Sequence, residues 1–260
     1  MDEGKIQMSQ RVAVVTGAAM GIGAEVSARL CATGMTVVLA DMNEKAAAVT
    51  AAGLIDKGGK AIVQVMDVSK PESISSAFAA VERAFGRCDV LVNCAGIAKV
   101  FPFLEFPLDN FVATMSVNVT GTMLCAQHAA RLMVRNHWGR IVNIASVAGM
   151  RAVGKGRTAY GTSKGAVIAL TRQMAVELAE HGITANAVCP GPIDTPMTQV
   201  LHSEQFRREY ATAIPMERYG TTGEVAAAVM YLVSDDAGYV TGTAMPVDGG
   251  FLASGARGLS

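Results

Sequence analysis

The sequence has little with which to build a disulfide framework, a membrane span or an electrostatic grip on a polyanion. Its five cysteines, Cys31, Cys88, Cys94, Cys125 and Cys189, are odd in number and widely spaced, with no Cys-x-x-Cys. That pattern excludes a disulfide scaffold and a structural zinc site. Most of them sit in apolar runs, where a thiol serves as a small core residue. No His, Cys and Asp cluster has catalytic metal spacing, so no metal is expected in the chemistry. No apolar run approaches the roughly 18 residues that span a bilayer. The opening stretch, Met1 to Gln10, carries acids and lacks the apolar core of a signal peptide. A cytoplasmic protein is therefore expected. Lysine and arginine number 22, aspartate and glutamate also 22. This balance offers no footprint for nucleic acid or for an anionic membrane surface. Aromatics are scarce at 5%, yet the 51% of hydrophobic residues is ample for a core and excludes global disorder.

What is present is a rhythm. Short β-branched runs at 12–16, 36–40, 61–66, 90–93, 140–144, 184–188 and 244–247 alternate with Ala-rich amphipathic stretches at about 21–33, 43–57, 71–86, 109–136, 158–181 and 222–234. The runs are apolar throughout, as strands covered on both faces are. Pro71 before Glu72 suits a helix start, and Gly34 and Gly182 suit helix ends. Strands alternating with helices imply right-handed crossovers and a parallel sheet. The expectation is an α/β fold: one doubly wound Rossmann-type domain over 1–260, with about seven parallel strands and helices on both faces. No linker or repeat interrupts it. Only 196–218 breaks the rhythm, and such an insertion would sit as a lid over the carboxyl edge of the sheet.

The first run leads directly into Gly17-Ala-Ala-Met-Gly21-Ile-Gly23 and then a helical pattern. A strand, a glycine turn and a helix N-terminus together present backbone N–H groups and a helix dipole to a pyrophosphate. The spacing is G-x-x-x-G-x-G rather than G-x-G-x-x-G, and a tight turn that binds nothing is the alternative. The second run is followed by Asp41. An acid there accepts hydrogen bonds from both hydroxyls of an adenosine ribose and repels a 2′-phosphate, which favours NAD(H) over NADP(H). Asp41 could instead cap the helix that starts near Asn43; the two roles are compatible.

Tyr160 and Lys164 lie four residues apart in a helical stretch, hence on one face. A fixed ammonium favours the phenolate, so Lys164 could bring Tyr160 towards neutral pH as a general acid or base. A solvated surface pair is the bland reading of that spacing alone. Ser146 follows the fifth strand near the same edge. Asn118 stands inside the fourth helix, where the alternative role for a polar residue is to satisfy a backbone group at a kink.

Taken in order, these residues resemble the short-chain dehydrogenase/reductase family over roughly 10–250. Thr16 to Gly23 is similar to its T-G-x-x-x-G-x-G cofactor loop, and Asn118, Ser146, Tyr160 and Lys164 to its catalytic tetrad. Asp67 and Val68 resemble the family's adenine-contacting pair. Asn93-Cys94-Ala95-Gly96 resembles its N-N-A-G segment, with Cys94 where a second Asn is commoner. The stretch from Pro190 through Gly191 and Ile193 to Thr195 resembles the loop that clasps the nicotinamide amide. Ser146 and Tyr160 stand one residue further apart than is commonest, a length that Gly154-Lys155-Gly156 would loop out. The cofactor set implied is Gly17, Met20, Gly21, Ile22, Gly23, Asp41, Met42, Asp67, Val68, Asn93, Ala95, Gly96, Tyr160, Lys164, Pro190, Gly191, Ile193 and Thr195. The resemblance also implies a homotetramer.

The implied reaction is hydride transfer between a nicotinamide and a carbinol carbon. Tyr160 would exchange the proton, Ser146 would orient the oxygen, Lys164 would tune Tyr160 and hold the nicotinamide ribose, and Asn118 would bend its helix and hold a water. The substrate would meet Ser146, Ala148, Val153, Tyr160, Gly191 and Met197, with Met150 and Ile214 adding apolar surface. Arg151, Arg157, His202 and Arg207 could serve anionic groups, although charged side chains are usually solvated surface. The expected activity is an NAD-dependent alcohol/ketone oxidoreductase acting on a polyol, a sugar-like molecule or a small secondary alcohol. The alternatives are an NADPH-dependent 3-oxoacyl-carrier-protein reductase, against which Asp41 and the zero net charge count, and a non-catalytic dinucleotide-binding protein, which should have lost part of the tetrad.

Overall fold

Alternate residues of the central strands enter two separate cores, so these strands are apolar on both faces; the edge strand at 60–65 instead exposes Lys60 and Ile62 on one face. In the computed structural model, which describes residues 7–254, the strands are β1 (Val12–Thr16), β2 (Thr36–Asp41), β3 (Lys60–Val65), β4 (Val90–Asn93), β5 (Gly139–Ile144), β6 (Ile183–Pro190) and β7 (Ala244–Val247). They form one parallel sheet in the order β3-β2-β1-β4-β5-β6-β7. Ala13 and Val15 of β1 pack into the core under α1 (Gly21–Ala32), α2 (Glu44–Ile55) and the last long helix at 222–233. Val12 and Val14 pack into the opposite core, beneath α3 (Pro71–Phe85) and the helices that follow β4 and β5. The chain reverses its direction of travel between β1 and β4, so the crevice beyond their carboxyl ends is where a ligand is expected.

The remaining helices are α4 (Leu108–Met115), α5 (Thr122–Val134), α6 (Thr158–Leu178), α7 (Pro196–Leu201), α8 (Glu204–Thr212) and α9 (Thr222–Val233). The single helix expected at 109–136 is thus interrupted: Ser116–Gly121 form a π-helical turn between α4 and α5. The 196–218 stretch holds α7 and α8. Gly34 and Gly182 end their helices in the left-handed region, as expected. Asn43 caps α2 by accepting from the Ala46 N–H, and Thr221 with Glu224 forms a reciprocal capping box on α9. Among the described residues no helix is long and apolar enough to cross a membrane. The opening stretch read for a signal peptide lies largely outside the described residues.

The amino edge of the sheet is closed by charge. Asp89, 1% exposed, accepts from the Val12 N–H at 2.8 Å and from Arg87 Nε and Nη2 at 2.8 and 2.6 Å. Arg11 and Arg140 both stack on Trp138, with guanidinium carbons 3.7 and 4.4 Å from its ring centroid. Asp89→Ala leaves a buried N–H and a guanidinium without their acceptor. It is expected to lower stability by about 2–4 kcal/mol. Urea unfolding followed by Trp138 fluorescence measures this, and an unchanged midpoint would contradict it.

Candidate active site

The site grows from the carboxyl ends of β1, β4 and β5. Thr16 Oγ1, at the end of β1, accepts from the N–H groups of Cys94 and Ala95 at 3.2 and 3.1 Å. Asn93 Nδ2, at the end of β4, donates to Asn143 Oδ1 of β5 at 2.9 Å, and Asn143 Nδ2 donates to Thr171 Oγ1 of α6 at 2.9 Å. All are buried, so this chain of amides and hydroxyls fixes three strand ends and α6 relative to one another.

Above it lies a cavity of about 330 Å³, lined by Gly17, Met20, Gly21, Ile22, Gly23, Asp41, Met42, Asp67, Val68, Ala95, Gly96 and Thr195. Met66, Cys94, Ile97, Val117, Pro196 and Met197 complete its wall. Gly17 has φ of +64°, and a Cβ there would lie 2.8 Å from the Ala95 Cα. A Cβ at Gly23 would lie 2.2 Å from the Gly17 carbonyl oxygen. Met20 precedes α1 with no side chain capping the helix, so the first-turn N–H groups face the cavity end without a side-chain acceptor. A pyrophosphate fits this cradle.

Asp41 does not cap α2; Asn43 does. The carboxylate instead accepts from the Ala19 N–H of the glycine loop through Oδ2 at 3.0 Å and from the Asn43 N–H through Oδ1 at 2.9 Å. Asp67 accepts from the Ser69 hydroxyl and N–H at 2.6 and 3.0 Å. The hydroxyl bond is the main cause of its lowered pKa. Six residues of the implied cofactor set do not line this cavity: Tyr160 and Gly191 line a neighbouring one, Lys164 is buried and lines neither, and three more turn into the walls. Asn93 is 4% exposed within the amide chain, Pro190 is buried opposite Val247 at the end of β6, and Ile193 packs in the core with α9. Their side chains hold the walls rather than line them.

A second, smaller cavity of about 80 Å³ adjoins the first at Met197, which lines both. Ser146, Ala148, Val153, Tyr160, Gly191 and Met197 all line it. Ser146 Oγ accepts from the Ala148 N–H at 3.1 Å. Ile214 is buried beneath this cavity against Val147 and Phe251, and Met150 is exposed outside it. Gly154 and Gly156 have φ of +92° and +76° and carry the loop between Ser146 and Tyr160. Sequence reasoning did not include Leu201 and Tyr210 from the lid; their apolar positions in a polar segment were the available signal.

Asn118 sits in the π-helical turn, 1% exposed. Its Oδ1 accepts from the Ile97 N–H at 2.8 Å, and its Nδ2 donates to the Ile97 carbonyl and to Ser163 Oγ at 3.0 and 2.9 Å. Ser163 in turn donates to the Tyr160 carbonyl at 2.8 Å. The side chain therefore ties the loop after β4 to the first turn of α6, and its polar atoms are engaged by protein groups. Its carbonyl accepts from the Thr122 hydroxyl at 2.8 Å.

Lys164 is 5% exposed and donates from Nζ to the Ile144 carbonyl at 2.7 Å, with its ammonium 5.7 Å from the Tyr160 ring centroid. Burial lowers its pKa to about 8. Burial of the Tyr160 hydroxyl raises that pKa; a hydrogen bond to Ser146 and the charge of Arg157 oppose the rise. This differs from the reading that made Lys164 the main depressor: here its ammonium is turned to the Ile144 carbonyl. Burial also raises the Cys94 and Cys189 thiols, to about 12 and about 11, so both stay protonated beside Lys164. Among the described residues no group of three or more His, Cys, Asp or Glu is placed to hold a metal.

Comparisons with known proteins agree with this geometry. A family model described as "Enoyl-(Acyl carrier protein) reductase" matches residues 17–252. The chain is 38% identical to the 3-oxoacyl-[acyl-carrier-protein] reductase FabG of Aquifex aeolicus, covering 95% of this chain and 100% of that protein. It is 41% identical to the 2-(R)-hydroxypropyl-CoM dehydrogenase of Xanthobacter autotrophicus, covering 94% and 99%. The crystal structure of levodione reductase superposes with a TM-score of 0.91 at 34% identity, covering 95% and 99%. With the seven-stranded parallel sheet, these matches span nearly the whole chain, which belongs to the short-chain dehydrogenase/reductase family of oxidoreductases.

Proposed function

We propose that the protein is an NAD-dependent oxidoreductase interconverting a secondary alcohol and a ketone. The observation that carries this reading is the shared wall at Met197, which sets the cavity holding Tyr160 and Ser146 against the glycine-loop cavity. NAD, when bound, supplies the hydride acceptor and NADH the donor. Gly17, Gly21, Gly23 and the first turn of α1 would hold its pyrophosphate, Asp41 its adenosine ribose and Lys164 its nicotinamide ribose.

This chain's own residues do the proton chemistry. In oxidation Tyr160, as phenolate, removes the proton from the substrate hydroxyl; in reduction the phenol returns it. Ser146 donates to the same substrate oxygen and stabilises charge developing there. Asn118 holds the first turn of α6 in place through Ser163 and so positions Tyr160. The small cavity and its apolar wall suit a small substrate, whether polyol, sugar-like molecule or simple secondary alcohol. The five free thiols suit a reducing, cytoplasmic compartment. The exposed Phe103, Leu104, Leu108 and Val112, on or beside α4, suit burial in a homotetramer.

A second reading, an NADPH-dependent 3-oxoacyl-[acyl-carrier-protein] reductase, is favoured by the name of the Aquifex aeolicus relative. Cofactor preference separates the two. The Asp41 carboxylate repels a 2′-phosphate, so kcat/KM is expected to be higher with NAD(H) than with NADP(H) by about 10-fold or more. Absorbance at 340 nm over an alcohol and ketone panel measures this, and a preference for NADP(H) would overturn the NAD reading.

Tyr160→Phe removes the proton carrier. Turnover is expected to fall by about 100- to 10,000-fold, while NADH affinity, followed by its fluorescence, stays close to wild type. Substantial residual turnover would contradict the mechanism.

The raised Tyr160 pKa sets the sign of the pH dependence. The phenol is protonated at neutral pH, so reduction has its proton there while oxidation lacks its base. Oxidation is expected to rise with pH from about pH 7 upward, and reduction to hold steady until the phenol begins to ionise above about pH 10. Initial rates in both directions test this; an oxidation rate that falls with alkalinity would exclude Tyr160 as the base.

A further inference from the structure

The smaller cavity contains one uncompensated charge. Arg157, immediately before α6 and three residues ahead of Tyr160, is half-buried and lines the same wall. No acidic residue lines that cavity, and among the described residues no carboxylate lies within ion-pair distance of Arg157.

The group that holds Arg157 is neutral. Arg157 Nη2 lies 2.8 Å from His202 Nε2, and His202 Nδ1 lies 3.0 Å from the Tyr219 hydroxyl. A guanidinium can only donate, so Nε2 is the acceptor and the ring proton sits on Nδ1, facing Tyr219. His202 is 8% exposed and packs against Phe206, Tyr210 and Tyr219. Burial first, then Arg157 and Arg207, hold its pKa down to about 4, so it stays uncharged at neutral pH. Burial raises both Tyr210 and Tyr219, which stay neutral phenols. Arg207, the other cation near this ring cluster, is compensated by Asp194 at 3.0 Å. Arg151 lies exposed beyond it, over the Phe251 ring at 5.1 Å. The lid thus fixes one nitrogen of Arg157 without supplying a counter-charge, and the other N–H groups remain for a ligand. A guanidinium on the wall of this small cavity is suited to a planar or tetrahedral oxyanion; Arg157 also borders the open groove lined by Phe103, Glu105 and Gly154, where no ion pair joins it to Glu105.

We propose that Arg157 is a specificity-determining residue and that the substrate carries a carboxylate or sulfonate close to its carbinol carbon: a hydroxy acid and its keto counterpart. The proposal rests on the alcohol–ketone reading of this cavity and narrows it from neutral alcohols to anionic ones. His202 is the positioning residue that orients the guanidinium from the lid.

The test uses matched probes: 3-hydroxybutyrate against 3-hydroxybutyramide, and 2-hydroxypropane-1-sulfonate against its sulfonamide. Binding to the NADH complex of Tyr160→Phe is measured by calorimetry, which needs no turnover. kcat/KM is measured in parallel with Tyr160 intact. At least one anion is expected to bind about 10- to 100-fold more tightly than its neutral partner. Whichever of the two anions shows the larger ratio identifies the headgroup. Arg157→Gln and Arg157→Met should bring that ratio close to one, and Arg157→Lys should leave it between the two. Thermal unfolding identifies the folded variants, and the ratio in the parent chain needs no Arg157 variant at all. A ratio near one in the parent chain for both pairs, or a ratio that survives both charge-removing variants, overturns the proposal. An anion preference in binding with no turnover of any probe supports the Arg157 site while counting against the oxidoreductase reading on these alcohols.

Discussion

In a sheet covered on both faces, polar side chains buried at the strand ends are cut off from water and must find partners within the protein. In this chain that constraint is met by one continuous chain of buried amides and hydroxyls. Thr16 holds the backbone after β4, Asn93 holds Asn143, and Asn143 holds Thr171 in α6. Because the partners come from β1, β4, β5 and α6, satisfying them also sets the distance between the glycine loop and the helix that presents Tyr160 and Lys164. A half-satisfied network of this kind is worse than an apolar core. The reacting geometry is therefore a by-product of closing the sheet.

The two halves of the site are held differently. The cofactor side is built from backbone: glycines that admit no Cβ, a helix start and a carboxylate gripping a loop. The substrate side is built from side chains, and its far wall comes from the α7–α8 segment. Among the described residues, a hydrogen bond to the neutral imidazole of His202 and the ring contacts that hold that imidazole join the segment to Arg157. Such contacts are weaker and less directional than a buried ion pair, which suits a wall that must part for substrate.

Much of this was legible in the sequence, because strong periodicities have few structural solutions. Strands that are apolar on every residue require two cores, and the alternation of Ala13 and Val15 against Val12 and Val14 realises that directly. The glycine spacing could be read because its steric reason is local. What escaped was set by tertiary contact. The amphipathic pattern of 109–136 continues through the π-helical turn, whose cause is the grip of Asn118 on the distant Ile97 backbone. Asn93, Pro190 and Ile193 belong to motifs near the site, yet their side chains turn into the core. Arg157 reads as surface charge in a Gly- and Lys-rich loop. Its burial depends on His202, which the fold brings to it from 45 residues further along the chain.

The two backbone bonds of Asp41 reach beyond recognition of a ribose. One oxygen ties the glycine loop at Ala19 to the end of β2, and the other secures the start of the segment leading into α2. Removing the carboxylate to admit a phosphate would therefore also untie the loop and leave two N–H groups seeking acceptors. Cofactor choice and loop integrity are inherited together here. An evolutionary path to the phosphorylated cofactor has to keep an acceptor for the Ala19 N–H, either in a neutral side chain at position 41 or in a second substitution beside it.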